Sequence, residues 1–339
     1  MSFRYEDQAT YPLAGTQWNP GPAVLEDYRA PSRERAALHR LRTDVGWTTA
    51  KVTANELAYP LGPLVTVYGT LRNEREAFLR SWAIWSRQRL PDWLTVEYVV
   101  LDEGSTDGVD EAIAELQAQG APITYVRTRP PGDPGERSCT LAFNWCARHL
   151  ARGTLLIPQW WDRIPGSFDL LRGLVEPHIT EAGIATSGIS RHIGGSSSLD
   201  GMPPGQLRAL LSSVPWRDDP IALAKLCGPR GGHCAPGGAT ESSMLCIPRE
   251  ELLALGGWDE RYRARASYVN VDLFRRVIGS GLRVRFLSEP TGANYHQSHP
   301  CPTGRAKPDG VGLLADRGVV RNGGRGGDWG SMEVVEVRR

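Results

Sequence analysis

The chain has 339 residues, and its 39 lysines and arginines against 38 aspartates and glutamates leave a formal charge of +1. So even a balance gives no global pull toward nucleic acid or a membrane surface. At 40% hydrophobic content a chain of this length buries a full core, as about two domains or as one large α/β domain with extensions.

Residues 1–19 are polar and mixed in charge, without the apolar centre of a signal peptide, and no run approaches the roughly 18 apolar residues that span a bilayer. The expectation is a cytoplasmic protein. Six cysteines scattered through so large a chain read as reduced thiols, and Cys227, His233, Cys234 and Cys246 match no common zinc-ligand spacing. Lys51, Lys225 and Lys307 are the only lysines, so arginine carries nearly all the positive charge, a bias that permits bidentate phosphate contacts.

In chain order, residues 1–60 form an extension rich in proline, arginine and glutamate, with one helix expected over 33–42. Pro60-Leu61-Gly62-Pro63 then punctuates the chain before a strand at 64–68. A helix follows over 73–90, where Phe78, Leu79, Trp82 and Trp85 recur at helical spacing. A strand at 94–101, a helix at 109–119 closed by Gly120, and a strand at 123–126 come next. After the loop 130–135 a helix is expected over 137–151 and a strand over 154–157. Strands alternating with helices at this spacing predict right-handed crossovers and a mostly parallel sheet flanked by helices. The second half is less regular: helices at 170–175, 204–211, 249–255 and 270–278, and extended stretches at 183–190, 244–247 and 282–287. Residues 226–238 read as an irregular glycine-rich loop, and beyond Pro300 the glycine- and arginine-rich chain reads as a tail or lid.

The stretch Val99-Val100-Leu101-Asp102-Glu103-Gly104-Ser105-Thr106-Asp107-Gly108 runs from an apolar strand into two carboxylates and small hydroxyls. Carboxylates at the end of a buried parallel strand lie at the crevice where open α/β sheets bind ligands. A carboxylate there accepts from a base N–H or ribose hydroxyls, and Asp107 is placed to cap the next helix. An ordinary acidic turn has the same local grammar.

Four segments in order resemble the family 2 glycosyltransferases, which use nucleotide sugars and have the GT-A fold. The resemblance covers about 64–300. Val65-Thr66-Val67-Tyr68-Gly69-Thr70-Leu71-Arg72-Asn73-Glu74 resembles the opening strand and its nucleotide-facing loop, with Gly69 where the family usually has proline. Asp102-Glu103-Gly104-Ser105-Thr106-Asp107-Gly108 resembles the nucleoside-binding turn, with glutamate for its second aspartate. The third runs from Asn144 through Ala151-Arg152-Gly153 to Trp160-Trp161-Asp162, where the family delivers a metal-binding D-x-D. Trp160 replaces the first aspartate, and the span from Asn144 to Gly153 is one residue longer than usual. The fourth is Leu255-Gly256-Gly257-Trp258-Asp259-Glu260-Arg261-Tyr262 followed by Val269-Asn270-Val271-Asp272-Leu273. Asn270 stands where inverting members carry the general base.

The resemblance implies a GT-A domain over 61–302, with 61–163 as its nucleotide-binding half and 164–302 as its acceptor half, followed by the 303–339 tail. It implies donor contacts from Thr70, Arg72, Glu74, Asp102, Glu103, Ser105 and Trp161. It implies Mg²⁺ or Mn²⁺ held by Asp162 and His296, with His299 as the second candidate, and catalysis by Asp272 or Asp259. Trp160 and Trp161 read equally as stacking platforms or as core, and Arg321 and Arg325 are placed to close over a diphosphate. The implied activity is inverting transfer of a sugar from a nucleoside diphosphate sugar to an acceptor hydroxyl on a glycan, small molecule, protein or nucleic acid. The alternative is a catalytically silent GT-A domain used for nucleotide-sugar binding or assembly, since Trp160 and Asn270 depart from the family pattern together. A nicotinamide enzyme would want G-x-G-x-x-G after the first strand, which Tyr68-Gly69-Thr70-Leu71-Arg72 does not supply.

Overall fold

The computed structural model describes residues 5–7, 64–135, 139–192, 244–262, 269–280, 282–287, 291–297 and 329–339. Strand β1 (Tyr5–Asp7) comes first, then β2 (Leu64–Leu71), whose residues beyond Leu64 are all buried. A run buried on both faces is what a central parallel strand requires. Helix α1 (Arg75–Trp85) buries Phe78, Trp82 and Trp85 along one face. It stops five residues before the expected end. The chain beyond it is drawn off to residues 167–171, where Gln88 donates to Ser167 C=O and accepts from Leu171 N–H, and Arg89 pairs with Asp169.

Strand β3 (Thr95–Asp102), helix α2 (Val109–Ala118) and strand β4 (Ile123–Arg127) follow as expected within a residue or so. Gly108, at φ 77, occupies the position before α2. Asp107 therefore serves two helices rather than one. Its carboxylate accepts from Arg75 N–H at the start of α1 at 2.7 Å, and from Val109 N–H at 3.3 Å. Helix α3 (Cys139–Trp145) continues as a π-helical turn, Cys146–Leu150, before β5 (Leu155–Trp160). That turn lies between Asn144 and Gly153, and a π turn holds one more residue than an α turn.

Beyond β5 come β6 (Arg163–Pro165), α4 (Leu170–Thr180), β7 (Ile184–Ser187) and β8 (Ile189–His192). Then follow β9 (Leu245–Pro248), α5 (Arg249–Ala254), α6 (Val269–Gly279), β10 (Arg283–Leu287), β11 (Ala293–His296) and β12 (Glu336–Arg338). The main sheet runs β1-β10-β7-β9-β5-β2-β3-β4-β12, and β6-β11-β8 form a small second sheet. The block β5-β2-β3-β4 is parallel, as is β10 with β7, so most of the paired length is parallel, as expected. Strand β9 is antiparallel to both neighbours. Its second half pairs with β5 (Leu156↔Ile247) and its first half with β7 (Thr186↔Cys246).

Both ends of the chain reach the sheet. β1 pairs with β10 and β12 with β4, each antiparallel. Residues 336–338 are thus a strand of the main sheet, which corrects the reading of everything past 302 as a tail or lid. Helices expected at 33–42 and 204–211, and the loop 226–238, lie outside the described residues.

The strands alternate between two cores. Tyr68, Leu101, Phe143, Leu156, Trp258 and Phe274 meet on the α3, α5 and α6 side. Val67, Phe78, Trp85, Val100, Trp161 and Leu174 meet on the α1, α2 and α4 side. Each such side chain contributes about 1.5–3 kcal/mol by leaving water. The fold therefore holds the carboxyl ends of β2, β3 and β5 in one row between two packed layers.

Candidate functional site

The first part of the site is the turn after β3. Asp102 is fully buried, and both its oxygens are engaged: Oδ1 accepts from Ser105 N–H at 2.8 Å and Oδ2 from the Tyr125 hydroxyl at 2.6 Å. Burial first, and then the Asp102 carboxylate, push the Tyr125 phenol up, so it stays protonated and donates. Arg127 Nε donates to that hydroxyl at 3.1 Å, and the Arg338 guanidinium lies 4.7 Å from the ring centre. Asp102 thus organises the turn from within, with strand β4 and the last strand holding it in place.

The turn is tied to the loop after β2. Asn73, the one non-glycine residue with positive φ (53) among those described, donates its N–H to Ser105 Oγ at 2.9 Å and accepts from Thr106 N–H through Oδ1 at 2.8 Å. Asparagine tolerates that left-handed backbone. Arg72 donates to the carbonyls of Asp133 and Gly135, drawing the 130–135 loop over the strand ends, where Gly132 N–H bonds Gly104 C=O at 3.0 Å. Gly104 is at φ 87, and a Cβ there would strike Pro130 C=O at 2.5 Å. Thr70, Glu74, Glu103 and Ser105 are buried under this cover, and Arg72 is half-buried.

The second part is the end of β5. Thr70 and Trp160 are register partners, so the loop after β2 and the Trp160-Trp161-Asp162 segment are neighbours. The structure corrects the reading of Trp161 as a donor contact. It is fully buried, its Nε1 donates to Gly69 C=O at 2.9 Å, and Phe78, Trp85 and Tyr98 surround its ring. Trp160 is half-buried, with Phe143 edge-on at 5.2 Å and the Arg163 guanidinium 5.8 Å from its centre.

Asp162 and His296, 134 positions apart in sequence, meet here: Asp162 Oδ2 lies 2.8 Å from His296 Nε2. The antiparallel pairing of β11 with β6, His296 opposite Arg163, delivers the histidine. A carboxylate and an imidazole suit Mn²⁺ or Mg²⁺. At 2.8 Å the two groups are hydrogen-bonded to each other, a distance also close to the roughly 3.0 Å between neighbouring ligands of an octahedral ion at about 2.1 Å. Among the described residues no three His, Cys, Asp or Glu side chains converge at one point.

The third part surrounds α3. Asn144, fully buried, accepts from Trp258 N–H and donates to Trp258 C=O and Glu260 Oε1, each at 2.8 Å. This fixes the Gly256-Gly257-Trp258-Asp259-Glu260 segment, with Gly257 at φ 64 and its α-carbon too near Asn144 Oδ1 to bear a side chain. Glu260 Oε1 also accepts from Gly330 N–H at 2.6 Å, and Arg148 bonds Trp329 C=O with its guanidinium 4.7 Å from that indole. The two catalytic candidates are both ion-paired. Asp259 is held by Arg261, with Nε at 2.9 Å from Oδ2, and Asp272 by Arg276 at 2.9 Å. Tyr262 lies close to both. Burial first, then Asp272 and Asp259, push its phenol up, so it remains a neutral hydroxyl. Phe143 joins these parts, touching Trp160 on one side and Trp258 at 4.8 Å on the other. His299, Arg321 and Arg325 lie outside the described residues.

No family model matches the sequence, and no curated protein matches it either. Solved structures do match. One is the mannosyltransferase PcManGT from Pyrobaculum calidifontis in complex with GDP-Man and Mn²⁺, 16% identical over 84% of this chain and 68% of that one, with a TM-score of 0.45. Another is GalNAc-T7 with UDP, GalNAc and Mn²⁺, 14% identical over 74% of this chain, with a TM-score of 0.50. The chain spans 48% of GalNAc-T7. A mycobacterial protein is 19% identical over 80% of this chain and 77% of its own, with a TM-score of 0.45. The fold is GT-A. Within this GT-A fold no described helix is long and apolar enough to cross a membrane.

Two residues of the site escaped the sequence reading. Tyr125 reads as one more apolar position of a short strand, and nothing in its neighbours marks a hydroxyl aimed at Asp102. Gln297, between two candidate histidines, carries no pattern at all, yet it is fully buried against Asp162.

Proposed function

We propose that this protein is a glycosyltransferase of the family 2 type, moving a sugar from a nucleoside diphosphate sugar to an acceptor hydroxyl. The observation that carries the reading is the Asp162–His296 pair at 2.8 Å, set at the carboxyl end of β5 beside the strand ends of β2 and β3. A divalent ion there, Mn²⁺ or Mg²⁺, supplies charge neutralisation on the leaving diphosphate. Asp162 and His296 would hold it, standing in for the D-x-D that Trp160 interrupts. The turn built on Asp102, Ser105 and Asn73, with Arg72 above it, would take the nucleoside end. Asp272, in the first turn of α6, is the preferred base, and Arg276 at 2.9 Å orients its carboxylate.

A second reading, nucleotide-sugar binding without transfer, is favoured by one observation. Asp259 and Asp272 are each committed to an arginine, and Asn270 cannot take a proton. Calorimetry with a panel of nucleoside diphosphates and their sugars, with and without Mn²⁺, tests the common part. A folded sample that binds none of them overturns both readings. Release of nucleoside diphosphate in the presence of acceptor hydroxyls, abolished by Asp272→Asn, separates the first from the second.

A further inference from the structure

The Asp162–His296 pair is held from behind by Gln297. Asp162 lies in the two-residue turn between β5 and β6, where no strand ladder fixes its carbonyl. Gln297 does so twice. Its backbone N–H and its side-chain Nε2 both donate to Asp162 C=O, each at 3.1 Å. The same Nε2 donates to Ala77 C=O at 2.9 Å, and Oε1 accepts from Arg80 Nε at 2.5 Å. Every polar atom of this buried side chain is therefore spent on linking the Asp162 turn to α1. The Ser81 hydroxyl adds a bond to Arg163 C=O, the next carbonyl along.

Burying an amide costs free energy that an apolar side chain in the same place would not. What the amide provides is position. It fixes the peptide that follows Asp162, and so the direction in which the carboxylate leaves the backbone, while its own chain neighbour is His296. We propose that Gln297, supported by Arg80, is the positioning residue that keeps Asp162 and His296 at the spacing of two adjacent metal ligands. The inference rests on the metal reading given above. Residues that orient ligands in this way typically govern affinity by about 10–100-fold when replaced.

The test is direct Mn²⁺ binding, with free ion counted by electron paramagnetic resonance, on the full chain as wild type, Gln297→Glu and Arg80→Gln. Gln297→Glu keeps the shape and the acceptor for Arg80 but removes both side-chain N–H donors. Its Mn²⁺ Kd is expected to rise about tenfold or more, and that of Arg80→Gln by a smaller factor in the same direction. Nucleoside diphosphate binding in EDTA and the thermal midpoint serve as readouts of general damage, and both are expected to stay at wild-type values in Arg80→Gln. Equal Mn²⁺ affinity in all three proteins overturns the inference. A wild type that binds no Mn²⁺ overturns the metal assignment itself, which is a different result. If Gln297→Glu does not fold, Arg80→Gln decides the matter alone, and unchanged Mn²⁺ affinity in it counts against the inference.

Discussion

Asn144→Ala is expected to lower folding stability by about 3–5 kcal/mol. Asn144 is fully buried, and its three 2.8 Å hydrogen bonds serve Trp258 N–H, Trp258 C=O and Glu260 Oε1. Trp258 is itself without exposure, so no water replaces the lost side chain at its backbone. Taking a buried group's partner away costs about 1–3 kcal/mol, and the substitution does this at two backbone groups. The Glu260 bond matters less, since Gly330 N–H still reaches the same oxygen at 2.6 Å. Urea unfolding followed by tryptophan fluorescence measures the loss as a fall in midpoint at unchanged m-value. Asn144→Asp sharpens the case. It keeps the shape but turns two donors into acceptors that face a carbonyl and a carboxylate, so its loss at neutral pH should be at least as large. That loss should shrink as pH falls, because the introduced carboxyl takes up a proton more readily in the folded protein than in the unfolded one. A cost below about 1 kcal/mol for Asn144→Ala would refute the view that this residue fixes the Trp258 segment.

Tyr125→Phe removes the donor to Asp102 Oδ2, and is expected to weaken nucleoside diphosphate binding several-fold in calorimetry. An unchanged affinity would mean that the Asp102 turn does not need the hydroxyl. Burial holds His178 down at about 3, whereas an unfolded histidine titrates near 6.5. The unfolded chain therefore takes up a proton first as pH falls. The stability concerned is complete above about 6.5 and is lost between there and about 3, at up to about 1.4 kcal/mol per pH unit. His178→Gln should flatten the stability–pH slope in that window, and a slope that survives the substitution would assign it to other groups. Arg148→Met keeps the aliphatic stem but removes the cation over Trp329, and should cost about 1–2 kcal/mol in the same unfolding assay. A wild-type midpoint would show that the Trp329-Gly330 turn docks without it.

The first half of the fold was legible because its strands are mostly apolar runs set between Gly and Pro, and its helices carry clear apolar stripes. Thr95–Asp102 and Val109–Ala118 were readable almost to the residue. The small sheet was not. Arg163–Pro165 and Ala293–His296 are three or four residues of mixed character, and they are strands because of partners far away in sequence: each other and, for Ala293–His296, Ile189–His192 as well. Glu336–Arg338 is likewise a strand by virtue of its partner, β4, rather than its composition. Within the site, sequence pattern could nominate Asp102, but it carried no sign that the carboxylate turns inward to a tyrosine on the next strand. The adjacent tryptophans 160 and 161 were undecidable because alternation puts one on each face, and only the packing of Phe78 and Trp85 shows which face is sealed. Nothing in the sequence between Asn144 and Gly153 marked the π-helical turn that the structure places at Cys146–Leu150.

Strand β9 carries a mechanical consequence. The two parallel blocks of the main sheet meet through four residues, two of which bond to one block and two to the other. A sheet transmits load through its ladder of hydrogen bonds, and here the ladder narrows to its thinnest rung between Leu245 and Pro248. Twist or splay imposed on the molecule would gather along this line before it strained either block. The line also divides the strand ends that carry Asp102 and Asp162 from β7 and β10.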